Sequence, residues 1–183
     1  MNKSNQLEPM LNAFLSDLAV LNIKVHNLHW NVEGREFALI HEMTEKIYKM
    51  LQDQFDETAE VMKMQCEMPL GTMAEYLKNT RIKEISSCNY SVAEVLDFLD
   101  EDCRLLISRA EEVRETADKQ DNYQIANLLE DYLALYAKYH WMLTASRRAA
   151  AMTNNRKKGI RCLSDPFFLT CRLYIRCKPP VTP

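Results

Sequence analysis

Apolar residues recur every three or four positions over four long stretches of the chain, separated by short polar breaks. Leu11, Phe14, Leu15, Leu18, Leu21 and Val25 predict a first helix that starts after Glu8-Pro9 and runs to about Val32. Gly34 interrupts the pattern, which resumes with Phe37, Ile40, Met43, Ile47, Met50 and Leu51 and predicts a second helix from about Phe37 to Cys66. Met68-Pro69-Leu70-Gly71 breaks that helix. Thr72-Met73-Ala74-Glu75 then reads as a capping box opening a short helix through Leu77, and residues 81–90 read as a linker. Ser91-Val92-Ala93-Glu94 is a second capping box, opening a long helix to about Ala117. After a turn at residues 118–122, the last helix follows Ile125, Leu128, Leu129, Leu133, Tyr136 and Trp141 to about Ala151. The predicted fold class is all-α: a four-helix bundle with a short extra helix in the long crossover between its second and third long helices.

The remaining residues break the pattern. Residues 160–174 have no helical period, and Phe167-Phe168-Leu169 is an apolar run with no partner in the pattern. The chain therefore divides into a bundle domain, residues 1–151, and a basic, cysteine-containing tail, residues 152–183. A disordered tail, an intersubunit arm and an extension foreign to the domain all remain open for the latter.

Composition supports the helical reading. Only three glycines and six prolines occur in 183 residues, and the chain is rich in Leu, Met, Ala, Glu and Lys. No apolar run reaches the eighteen or so residues of a membrane span. Met1-Asn2-Lys3-Ser4-Asn5-Gln6 lacks the apolar segment of a secretory signal, so the expected location is cytoplasmic, with nucleoid association an option. Cys66, Cys88, Cys103, Cys162, Cys171 and Cys177 form no C-x-x-C pair and read as reduced thiols rather than a zinc site. The net charge of −3 hides an asymmetry. Up to residue 146 there are 14 basic and 25 acidic side chains, and from residue 147 onward 9 basic and 1 acidic. An acidic body attracts cations and repels nucleic acid, and a basic tail does the reverse.

The candidate chemistry lies in the first two helices: His29-Trp30, His41, Glu45, Asp56 and Glu60. His41 and Glu45 are four apart, as are Asp56 and Glu60, so each pair shares a helix face. Glu45 and Asp56 are eleven apart, about three turns, which places all four on one stripe. Imidazole and carboxylate on such a stripe are costly as core and well suited to iron. Along one helix His41 and Asp56 lie roughly 22 Å apart, too far to share a metal within one chain. The spacing is symmetric about Met50 and Leu51. Two copies packed antiparallel across a two-fold axis there would set His41 and Glu45 of one against Asp56 and Glu60 of the other, giving two identical sites.

Several neighbouring residues carry a plainer reading. His26 reads as a capping or packing residue. Met43, Met50, Met62, Met64 and Met142 read as core filler, and Asp53 and Glu57 as solvent-facing.

The run His26-Asn27-Leu28-His29-Trp30-Asn31-Val32-Glu33-Gly34, followed by Leu39-Ile40-His41-Glu42 and Asp56-Glu57-Thr58-Ala59-Glu60, resembles the Dps mini-ferritins of the ferritin-like superfamily. The likeness extends through Pro69-Leu70-Gly71-Thr72 and Tyr76-Leu77 to Trp141-Met142-Leu143, covering roughly residues 7–148. It implies a ferritin-like bundle and a homo-oligomeric, dodecameric shell with dinuclear iron sites at its two-fold interfaces. By resemblance His29, His41 and Glu45 come from one subunit and Asp56 and Glu60 from its partner, with Trp30 beside the site as an accessory residue. The implied activity is a ferroxidase that oxidises Fe(II) with hydrogen peroxide and stores ferric mineral, protecting cell and DNA. The alternative is a nucleoid-binding or interaction shell without that activity, acting through its basic tail. Most members have Asp where this chain has Glu45, and Asn127 stands where an aspartate lines the family's three-fold pores.

Overall fold

The computed structural model describes residues 6–163, with side chains as far as residue 147. Its helices are α1 (Leu7–Asn31), α2 (Phe37–Met64), the short α3 (Met73–Asn79), α4 (Val92–Lys119) and α5 (Tyr123–Leu163). The expected architecture is the observed one. α1 packs on α2 and α4 on α5, and the segment between α2 and α4 crosses the bundle carrying α3. Two-residue strands β1 (Val32–Glu33) and β2 (Tyr90–Ser91) pair in parallel, tying the end of α1 to the start of α4.

α1 begins earlier than expected. Pro9 lies within its first turn, where its missing N–H would have had no intrahelical acceptor. Leu11, Phe14, Leu15, Leu18, Leu21 and Val25 are buried, and so are Ser16, Asp17, Asn22 and Lys24, because α1 is covered by α2, α3 and α4. Gly34 makes the turn into α2 at φ +132°, a conformation that side-chain-bearing residues rarely adopt. Both capping boxes are formed, Thr72 with Glu75 and Ser91 with Glu94.

Polar residues of α1 hold the crossover. Asn12 donates to the Met68 carbonyl at 3.1 Å and accepts from the Leu70 amide at 2.7 Å. Asp17 accepts from the Thr80 hydroxyl at 2.8 Å and the Arg81 amide at 2.6 Å, and Asn27 donates to the Ile85 and Ser86 carbonyls. The stretch read as a linker is therefore fixed backbone.

α5 departs furthest from expectation. It continues to Leu163, through the boundary placed at residue 151. Ala149-Ala150-Ala151-Met152 favours helix, and no proline follows before Leu163. Trp141, placed on the apolar stripe, is 68% exposed; Met64 and Met142 are exposed as well, whereas Met62 is core. Phe167-Phe168-Leu169, Cys171 and Cys177 lie outside the described residues. Among the described residues no helix is long and apolar enough to cross a membrane, and Cys66, Cys88 and Cys103 are free thiols.

Candidate metal centre

His29 ends α1 and His41 opens α2, and the two rings stack at 3.7 Å between centroids. Their hydrogen bonds are reciprocal. His29 Nδ1 donates to the His41 carbonyl at 3.0 Å, and His41 Nδ1 donates to the His29 carbonyl at 2.9 Å. A carbonyl only accepts, so both Nδ1 atoms carry the proton, and in the neutral rings each Nε2 keeps its lone pair. Burial holds the His29 imidazole below the usual histidine range, and the nearby His41 pushes the same way. Both effects favour the neutral, ligating form.

Thr44 completes this support. Its hydroxyl donates to the Ile40 and His41 carbonyls and lies 3.0 Å from His29 Nδ1 as a second acceptor. Sequence reasoning passed over Thr44, whose only signal was its position three residues after His41. Glu45 is half-buried one turn beyond His41 and pairs with Lys49, whose hydrogen bond holds its carboxyl below the usual carboxylate range. His26 is a packing residue: it donates to the Asn22 carbonyl and stacks on Tyr48 at 3.9 Å. Trp30 is 70% exposed beside it, with ring centroids 5.5 Å apart.

Asp56 and Glu60 are exposed on the far half of α2 and are not brought to the histidines. Of the two residues read as solvent-facing, Glu57 is exposed yet accepts from the Tyr132 hydroxyl at 2.7 Å. Among the described residues no single-chain group of three or more His, Cys, Asp and Glu side chains is arranged to hold a metal. Two carboxylates buried against α1 are already taken: Asp17 pairs with Arg109 at 2.9 Å and Asp102 with Lys24 at 2.7 Å. Near the α4–α5 turn Asn127 is exposed, and Glu130 is engaged by Arg114 at 2.6 Å.

Residues 9–150 match the ferritin-like domain family. The DNA protection during starvation protein of Helicobacter pylori is 36% identical over 130 residues, covering 71% of this chain and 90% of the relative. The chain belongs to the Dps family. The crystal structure of a Dps protein from Bacillus brevis matches with a TM-score of 0.75 at 31% identity, over 79% of this chain and 98% of that one. A Dps protein from Vibrio cholerae, described as a member of a broad superfamily of ferritin-like diiron-carboxylate proteins, matches with a TM-score of 0.74 at 29% identity, over 78% and 89%.

Proposed function

We propose that this Dps-family chain forms a cytoplasmic shell that takes up Fe(II) as substrate, oxidises it with hydrogen peroxide and stores the ferric product. The observation that carries the reading is the reciprocal histidine clasp. It spends both Nδ1 protons on backbone carbonyls and leaves two neutral imidazole nitrogens, with the Glu45 carboxylate one turn away. Ligating histidines characteristically donate their other N–H in this way.

In this reading His29, His41 and Glu45 of one subunit and Asp56 and Glu60 of the partner hold a pair of ferrous ions across a two-fold axis near Met50 and Leu51. Imidazole suits ferrous iron, and carboxylate suits the ferric product. Lys49 stands on the Glu45 carboxylate in the isolated subunit and yields it when iron binds. Two ferrous ions supply the two electrons that, with two protons, reduce one hydrogen peroxide to two waters, so no hydroxyl radical is released. Trp30, exposed beside His26, is an accessory residue that accepts stray oxidising equivalents. The shell is a dodecamer, built from two-fold pairs.

Stopped-flow oxidation of Fe(II) by peroxide tests this, comparing wild type with the His41→Ala, Asp56→Ala double variant. Loss of the fast phase in the variant is expected; equal rates would remove the ferroxidase reading.

A second reading concerns DNA. The relatives' name, DNA protection during starvation protein, and the 9 basic against 1 acidic side chains from residue 147 onward favour it. In it the bundle domain, residues 1–151, carries residues 152–183 as a basic arm, and twelve such arms grip phosphate together. Gel shifts of the full chain and of a form ending at Arg148, at several salt concentrations, decide it. Retardation that fades with salt and vanishes on truncation supports the arm, and identical behaviour of the two forms refutes it.

A further inference from the structure

The α4–α5 junction holds a cluster that the reading above does not use. Three buried polar atoms there have no hydrogen-bond partner: Asp100 Oδ1, His140 Nε2 and Thr144 Oγ1. Asp100 is only 4% exposed. Its Oδ2 is held by Arg104 at 3.1 Å and by Arg147, which also pairs with Asp97 at 2.7 Å. The carboxylate is thus fixed in place with its second oxygen facing His140, whose Nε2 lies 3.3 Å away without hydrogen-bond alignment.

Thr144 is unusual among the helical hydroxyls. Ser16, Thr44, Thr58, Thr116 and Ser146 each donate to the carbonyl four residues earlier. Thr144 does not, and it lies on the α5 stripe that runs from His140 to Arg147, the two α5 residues that meet Asp100.

We propose that Asp100 Oδ1, His140 Nε2 and Thr144 Oγ1 bind one divalent transition-metal ion within a single subunit, stapling α5 to α4. Two ligand atoms each about 2.0–2.1 Å from a tetrahedral metal stand about 3.3 Å apart, the spacing found between the Asp100 oxygen and the His140 nitrogen. One carboxylate, one imidazole and one hydroxyl suit a borderline ion of the zinc or cobalt type, with water completing the shell. The guanidiniums of Arg104 and Arg147 act as outer-shell donors that orient the carboxylate. Their charge opposes a dication, so the site is weaker than a closed structural zinc site. The His140 side chain is 33% exposed, while its Nε2 is closed off from solvent.

The test uses the assembled full chain carrying His41→Ala and Asp56→Ala, so that the α1–α2 face does not compete. Cobalt(II) is titrated alone and followed by its visible absorption, then displaced with zinc(II). The expected result is one cobalt per subunit with a low-symmetry or tetrahedral spectrum. Adding His140→Ala should weaken binding at least about tenfold, and Thr144→Val should weaken it less. His140→Asn, which keeps a polar side chain against Asp100, serves as the second variant should His140→Ala misfold. Absence of cobalt binding in the parent, or binding that survives both His140 substitutions, would overturn the proposal and leave an ordered water as the occupant.

Discussion

Two regions of this bundle bury ionisable groups, and they treat them in opposite ways. Along the α1–α4 seam every charge is answered within the chain: Asp17 by Arg109, Lys24 by Asp102. At the α1–α2 edge His29 and His41 satisfy one nitrogen each and leave the other open, while Asp56 and Glu60 stand exposed on the far half of α2. A closed polar group contributes to holding one fold. The open Nε2 atoms add nothing to the isolated subunit, whose α1–α2 edge is held by the Nδ1 bonds alone. The comparison separates polar atoms that are closed within the fold from those the fold leaves open.

The largest break comes from the closed region. Asp17→Ala leaves Arg109 buried without a counter-ion and frees the Thr80 and Arg81 contacts of the crossover. It should cost about 4 kcal/mol in denaturant unfolding, while the variant that remains folded should still oxidise iron. His41→Ala should do the reverse, abolishing the fast oxidation phase while changing the unfolding free energy by about 1 kcal/mol or less. If both substitutions damaged both properties equally, the division between the regions would be lost.

A smaller effect sharpens the picture at the start of α4. Ser91→Ala removes the hydroxyl that caps the Glu94 amide and should cost about 1 kcal/mol without touching iron oxidation. Smallest is the acid response of the Arg81–Glu112 pair, two hydrogen bonds of 2.7 Å at the surface. The Arg81 guanidinium holds the Glu112 carboxyl below its ordinary value of 4.5. Its folded value is depressed, so its stabilisation is complete above the unfolded value and is lost as pH falls through the folded one. Acid titration of Arg81→Gln should therefore show a slightly shallower loss of stability below about pH 4.5 than wild type. Both side chains are 40% exposed, so the difference is small.

Helix number, the crossover and both capping boxes were legible in the sequence because each is local: a period, a breaker, a Ser or Thr three residues before Glu. The ends were less so. Pro9 reads as a boundary but sits comfortably in a first turn, and α5 runs past Ala151 because nothing in its sequence stops it. The stripe of His41, Glu45, Asp56 and Glu60 followed from spacing alone. What spacing could not give was the clasp, since a contact between His29 and the backbone of His41 depends on how α1 meets α2. The role of Thr44 toward His29 and the order in residues 81–90 were hidden for the same reason: side chains far apart in sequence made them.

The central claim is that one site takes ligands from two subunits, and subunit mixing tests it most directly. His41→Ala and Asp56→Ala chains, each inactive alone, are unfolded together in equal amounts and reassembled. Wherever the two kinds meet across a two-fold axis, one of the two sites receives an intact His41 from one chain and an intact Asp56 from the other. Random pairing therefore restores about a quarter of the wild-type sites, and peroxide-driven iron oxidation should return to about a quarter of the wild-type rate. If His41 and Asp56 served the same site from the same chain, mixing would restore nothing, and that result would contradict the account.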